Sequence, residues 1–203
     1  MNFLLYPILA IGGYLMGSSN LAYFLARGRG FDIRTLGSNN AGASNAVVTM
    51  GFRTGVMVAV HDVLKSCFAA LMAALIFPNL PNAGAVAGVA AVLGHIFPFY
   101  LHFKGGKGFA SFMGLILALD WRFFLVIGAM AVLITVISDY IVLGTFTTIL
   151  CFPLYLLLWK AALLCSAIVA VASLVIFLKH IVNIGKLWRG EEIGLRQALS
   201  RKR

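Results

Sequence analysis

Charged residues are scarce in this chain: 11% of its 203 residues, against about 25% in a soluble domain. Acidic residues are the rarest charged class, six against sixteen Lys and Arg, which leaves a net charge of +10. Cysteine is nearly missing as well. Cys67, Cys151 and Cys165 each lie inside an apolar run without CxxC spacing, so they read as small packing residues rather than as a disulfide framework. No Cys/His cluster, Ser-His-Asp order or nucleotide P-loop is present, so the chain is expected to use neither a metal nor a cofactor. The sixteen cations do not form one stripe, which argues against a nucleic-acid partner. What dominates instead is apolar: 62% of residues, with a mean hydropathy of +0.99. That excess rules out a disordered chain, a collagen-like chain and an ordinary cytosolic enzyme. It predicts an all-α polytopic membrane protein whose helices face lipid.

Seven apolar runs follow one another: 3–26, 55–77, 84–103, 109–119, 123–137, 141–159 and 161–178. No basic residue precedes the first, whereas Arg27, Arg29 and Arg34 follow it. A signal peptide shows the reverse, so this run reads as a retained helix with its N-terminus outside. With that orientation Arg27, Arg29, Arg34, Arg53, Lys104, Lys107 and the Lys and Arg residues of a basic tail, 179–203, fall inside. Only Arg122 and Lys160 fall outside, and Lys65 lies within a span. The bias predicts about seven transmembrane helices and a cytoplasmic C-terminus, in one membrane-embedded domain covering 1–203. The fourth and fifth runs fall short of the roughly 20 residues of a full crossing, so half-insertion or one broken hairpin is the alternative for them.

Three polar segments, 27–54, 103–108 and 179–192, are then expected on the cytoplasmic side, and they hold the chemistry. In the segment 102–108, Lys104 and Lys107 alternate with Gly105, Gly106 and Gly108. Glycines let backbone N–H groups approach an anion and the next helix would start just beyond, so the segment is either a phosphate cradle or a basic interfacial turn. A nucleotide loop needs Ser or Thr after its Lys, and Gly108 stands there. Ser38, Asn40 and Asn45 offer donors to a phosphate, or a helix cap among small residues. His180, Asn183 and Lys186, spaced by three, share a helical face ahead of Gly190 and Glu192. His180 fits a general base, a phosphate donor or an interfacial residue. Asp62 and Lys65, also three apart, read as an ion pair that positions the second helix, and His95 as a buttress of the glycine loop. Together these features suggest a membrane-embedded, metal-free site for a phosphorylated substrate.

The motifs resemble those of the bacterial acyl-phosphate:glycerol-3-phosphate acyltransferases, the PlsY family, over nearly the whole chain. Residues 37–45 match the family's GSGNxGATN, 94–108 its GHxFPxFxxFKGGKG, and His180, Asn183, Gly190 and Glu192 its HxxNIxRLxxGxE. Asp62 and Lys65 match its DxxKG. The resemblance implies seven helices, a cytoplasmic site and transfer of a fatty acyl group from acyl phosphate to glycerol 3-phosphate, giving 1-acylglycerol 3-phosphate and phosphate. It implies Lys104, His180 and Asn183 as catalytic residues, with Ser38, Asn40, Asn45, Gly105, Gly106 and Lys107 binding substrate phosphate. Asp62, Lys65, His95 and Glu192 are implied as structural support. Its implied setting is the bacterial cell membrane, with membrane lipids around the chain and an upstream phosphate acyltransferase supplying the donor. The chain departs from the family at Val48 (an Arg), Ser66 (the Gly of DxxKG), Asp139 (an Arg) and Val142 (a Ser). Loss of the Arg at Val48 leaves a second reading, a weakened relative that binds phosphorylated lipid precursors or acts as a small transporter.

Overall fold

The computed structural model describes residues 4–200; Arg201, Lys202 and Arg203 of the basic tail lie outside the described residues. Regular structure among the described residues is helical throughout, with no strand. The chain forms two compact units, one up to Leu119 and one from Asp120.

In the first unit, α1 (Leu5–Ser18) and α2 (Leu21–Gly28) form one apolar stretch of 24 residues broken at Ser19-Asn20. The break has a local cause. Asn20 is extended, and its side chain accepts from the Tyr23 N–H at 2.9 Å, capping α2. Two short helical elements follow, a 3₁₀ turn at Ile33–Thr35 and α3 (Ala43–Met50). Gly51, at φ +91°, then turns the chain into α4 (Phe52–Ile76), a conformation that L side chains rarely adopt. Next come α5 (Ala83–Ile96), a 3₁₀ turn at Phe99–Leu101 and α6 (Phe109–Leu119). α1 and α5 meet backbone to backbone: a Cβ at Gly13 or Gly17 would run into Ala87 or Ala91, and one at Gly94 into Tyr14. Membrane helices without a hydrophobic drive between them pack through such small residues.

The second unit consists of α7 (Trp121–Ser138), α8 (Ile141–Leu158), α9 (Leu163–Trp188) and the short α10 (Leu195–Ser200). Asp120 caps α7, accepting from the Arg122 and Phe123 N–H groups at 3.1 Å each. Asp139 closes α7 in the left-handed region, and its carbonyl and carboxylate take the Leu195 and Arg196 N–H groups at 2.7 and 2.8 Å.

Among the described residues, six segments are long and apolar enough to cross a membrane: Leu5–Gly28, Phe52–Ile76, Ala83–Leu101, Trp121–Ser138, Ile141–Leu158 and Leu163–Trp188. Two expected boundaries change. The fifth run becomes an 18-residue helix because its Asp120 cap starts it at Trp121. The seventh run continues to Trp188 instead of stopping at Leu178, so the first basic residues of the expected tail lie on α9 itself. The fourth run is the eleven-residue α6, short of a full crossing.

Candidate functional site

In the first unit the glycine–lysine loop is held from two sides. Gly105 and Gly106 donate their N–H groups to the Ile96 and His95 carbonyls at 3.1 Å each, and the Lys104 N–H goes to Leu101 at 3.2 Å. These amides are engaged inside the fold, which differs from the expectation that they would cradle an anion. The glycines serve close approach instead. A Cβ on Gly105 would collide with the His95 carbonyl, and one on Gly106 with the His95 imidazole. The loop therefore lies flat on the end of α5, with Lys104 exposed and the N-terminus of α6 beginning at its far end.

The 37–45 segment packs on the other side of the loop: Ala41 N–H donates to the Gly105 carbonyl at 3.2 Å, and Asn20 Nδ2 donates to the Ala41 carbonyl at 3.1 Å. Asn45 builds this segment. Its Oδ1 accepts from Ser38 N–H at 2.9 Å, while its Nδ2 reaches the carbonyls of Ile33, Leu36 and Asn40 at 2.8–3.0 Å. Asn40 donates to the Ser38 carbonyl and hydroxyl and accepts from Gly42 N–H. Ser38 is thus brought beside Asn40 and Asn45, and the fully buried Asn45 is an internal organiser.

Beneath the loop sits a buried charge cluster. Lys65 Nζ lies 2.8 Å from Asp62 Oδ1 and 2.9 Å from His95 Nδ1, and donates to the Ser19 carbonyl at 2.7 Å. His95 Nδ1 also lies 3.2 Å from the same Asp62 oxygen, and its Nε2 is the nitrogen nearest Gly106. The cluster joins α4, α5 and the α1–α2 break directly under the loop.

Sequence reasoning missed Arg34 as more than a topology signal. It pairs with Asp32 at 2.7 Å, donates to the Leu101 carbonyl at 2.8 Å and lies over the Tyr23 ring at 5.2 Å. The Asp32 hydrogen bond raises the Arg34 pKa and lowers that of Asp32. The Asp-x-Arg spacing was the available signal. The four bonds of Asn45 had none, because each depends on a backbone carbonyl or N–H that only the folded loop supplies.

The second unit carries His180, Asn183 and Glu192. His180 and Asn183 are buried on one face of α9. His180 Nδ1 donates to the Ile176 carbonyl at 2.8 Å. Asn183 Nδ2 donates to Glu192 Oε1 at 2.6 Å, so Glu192 sets the amide orientation. Val142, where the family has Ser, is buried; Val48 is half-buried. Among the described residues, no group of three or more His, Cys, Asp or Glu could hold a metal.

Residues 7–190 match the family model described as glycerol-3-phosphate acyltransferase. A protein of that name from Geotalea daltonii is 38% identical over 187 residues, covering 91% of this chain and 95% of the relative. Another from Clostridioides difficile is 37% identical over 198 residues, covering 95% and 96%. The crystal structure of PlsY (YgiH), an integral membrane glycerol 3-phosphate acyltransferase, in its glycerol 3-phosphate form is similar at a TM-score of 0.88 and 30% identity, covering 94% of this chain and 95% of that one. Its lysophosphatidic acid form gives 0.85 and 30%, covering 96% and 98%.

Proposed function

The chain belongs to the glycerol-3-phosphate acyltransferase family, and from that membership we propose its reaction in full. It is a membrane-embedded acyltransferase of phospholipid synthesis. It moves a fatty acyl group from acyl phosphate to the sn-1 hydroxyl of glycerol 3-phosphate, giving 1-acylglycerol 3-phosphate and inorganic phosphate. The observation that carries the donor assignment is the loop itself, which presents an exposed Lys104 beside Lys107 at the start of α6. Two ammonium groups and a helix N-terminus suit a compact anion, and nothing there has the form of a nucleotide loop.

Lys104 and Lys107 neutralise the phosphate charge, and the Ser38 hydroxyl adds a donor from the segment that Asn40 and Asn45 shape. Gly105 and Gly106 let the loop sit low on His95, and the Asp62–Lys65–His95 cluster fixes its height. His180 and Asn183 orient substrate, the amide of Asn183 being set by Glu192. Phosphate is a good leaving group, so the acyl carbon arrives activated. The site contributes proximity and anion stabilisation, and a substrate phosphate takes the hydroxyl proton. The inside bias of the cations supports a multi-pass bacterial membrane protein with its site toward the cytoplasm, fed by an enzyme that makes acyl phosphate.

The test is a phosphate-release assay on the purified full chain in nanodiscs. Acyl phosphate with glycerol 3-phosphate is expected to turn over, acyl-CoA is expected to fail, and metal chelators are expected to have no effect. Robust acyl-CoA use, or glycerol 3-phosphate binding without phosphate release, would overturn the reading.

A further inference from the structure

The turn that delivers Lys104 has an unfavourable backbone. His102 and Phe103 sit at φ +54° and +59°, the left-handed region, although neither is glycine. In that region Cβ crowds the backbone, and non-glycine residues are uncommon. Such conformations persist where neighbouring groups hold them. His102 and Phe103 are the centre of a tight turn, closed by the Lys104 N–H donating to the Leu101 carbonyl at 3.2 Å. Both central φ values are positive, as in a type I′ turn, where Asn-Gly is the favoured pair. His102-Phe103 is far from that pair, so sequence preference does not close the turn. The side chains of His102, Phe103 and Lys104 are all exposed, so burial does not close it either. The His102 and Phe103 N–H groups go to the Phe99 and Pro98 carbonyls at 3.3 and 3.1 Å, within the same short segment.

Arg34 reaches the same Leu101 carbonyl from outside the turn. Its Nη1 donates at 2.8 Å, shorter than the turn's own bond. A carbonyl has two lone pairs, so Leu101 serves both donors. The guanidinium is itself aimed. Asp32 takes its Nε and Nη2 at 3.0 and 2.7 Å, and the Tyr23 ring centre lies 5.2 Å away. With those two nitrogens occupied, the rigid fork leaves Nη1 directed at Leu101. Its positive charge also makes this the stronger kind of hydrogen bond. We propose that Arg34 is a positioning residue for Lys104. It fixes the carbonyl that closes a strained turn, and so sets the place from which the Lys104 ammonium meets substrate phosphate. This role rests on the acyltransferase reaction proposed above.

The experiment measures the cost of Arg34→Gln in three backgrounds of the full chain in nanodiscs, by phosphate release from acyl phosphate with glycerol 3-phosphate. In the native turn Arg34→Gln is expected to lower kcat/KM about tenfold, the size of one charge-assisted hydrogen bond. His102→Asn with Phe103→Gly places Asn-Gly at the central positions; the turn then holds itself, and the cost should fall to about twofold or less. With Lys104→Ala the group being positioned is gone, and the cost should again be about twofold or less. An equal cost in all three backgrounds marks a general structural part and overturns the proposal. Arg34→Lys covers the case in which Arg34→Gln does not fold. Its compact ammonium cannot hold Asp32 and Leu101 as a fork does, so kcat/KM should fall there too, and full activity overturns the proposal. Hydrogen exchange at the Lys104 amide is the readout that needs no turnover. Either Arg34 variant should quicken it, and unchanged exchange overturns the proposal. If the wild-type chain releases no phosphate, the acyltransferase reading falls, and the exchange result alone decides whether Arg34 holds the turn.

Discussion

In the proposed reaction the exposed Lys104 meets the phosphate through its side chain, since the Lys104, Gly105 and Gly106 amides are engaged inside the fold. A charge-assisted hydrogen bond contributes about 1.5–3 kcal/mol. Lys104→Ala should therefore lower kcat/KM by about tenfold or more in the phosphate-release assay, at roughly 1.4 kcal/mol per decade. Lys104→Arg restores only part, because a planar fork does not replace a compact ammonium. In the proposed reaction His180 orients substrate. His180→Gln keeps some turnover if the residue only orients substrate, whereas loss of kcat at unchanged KM would make it the general base. Gly106 is a steric matter. Gly106→Ala drives a methyl into the buried His95 imidazole and should lower kcat/KM at least about tenfold. Gly12→Ala, where an added Cβ meets nothing within 4 Å, is the matching control with no effect.

Helix ends decide where each element lies, and one of them titrates. Asp120 is pushed upward by burial, but hydrogen bonds from the Tyr155 hydroxyl, the Phe123 N–H and Lys160 outweigh this and bring its carboxyl down to about 2. A lowered carboxyl stabilises the fold fully above its unfolded value of about 3.9 and loses that contribution as pH falls through about 2. Hydrogen exchange at the start of α7 should quicken on acidification between those values, and Asp120→Asn should abolish the change while keeping the cap. The same residue shows why the fifth run was underestimated. Apolar periodicity saw 123–137, while the true start is set by one polar side chain just outside it. The α1–α2 break was hidden for a related reason. Asn20 lies in a run apolar enough to be read through, and only its bond to Tyr23 marks a new helix. Asn45 and Asn183 looked alike on paper as polar residues in promising segments. One is absorbed in loop carbonyls and the other is held by Glu192, a distinction that needs the folded backbone.

At the scale of the molecule, the apolar runs revealed the long helices because lipid demands continuous hydrophobic stretches and internally satisfied backbone, while the short α3 and α10 went unseen. Orientation is a separate matter, set by the cations. A reporter fused after Arg203 should read cytoplasmic and one in the Pro78–Asn82 turn external; swapped readings would refute the assigned sidedness. The glycine contacts of α1 with α5 carry one more consequence. The Ala83–Leu101 stretch is 72% buried, Trp121–Ser138 only 11%. On the latter, exchanging one greasy side chain for another changes little, since neighbouring lipid reshapes itself around any contour. Along α5 the spacing is set by atoms that are not there, and a single added methyl pries two backbones apart. Mutational drift is thus free to rewrite one helix while the other stays frozen, and the frozen one is the one whose end carries His95 and the glycine–lysine loop.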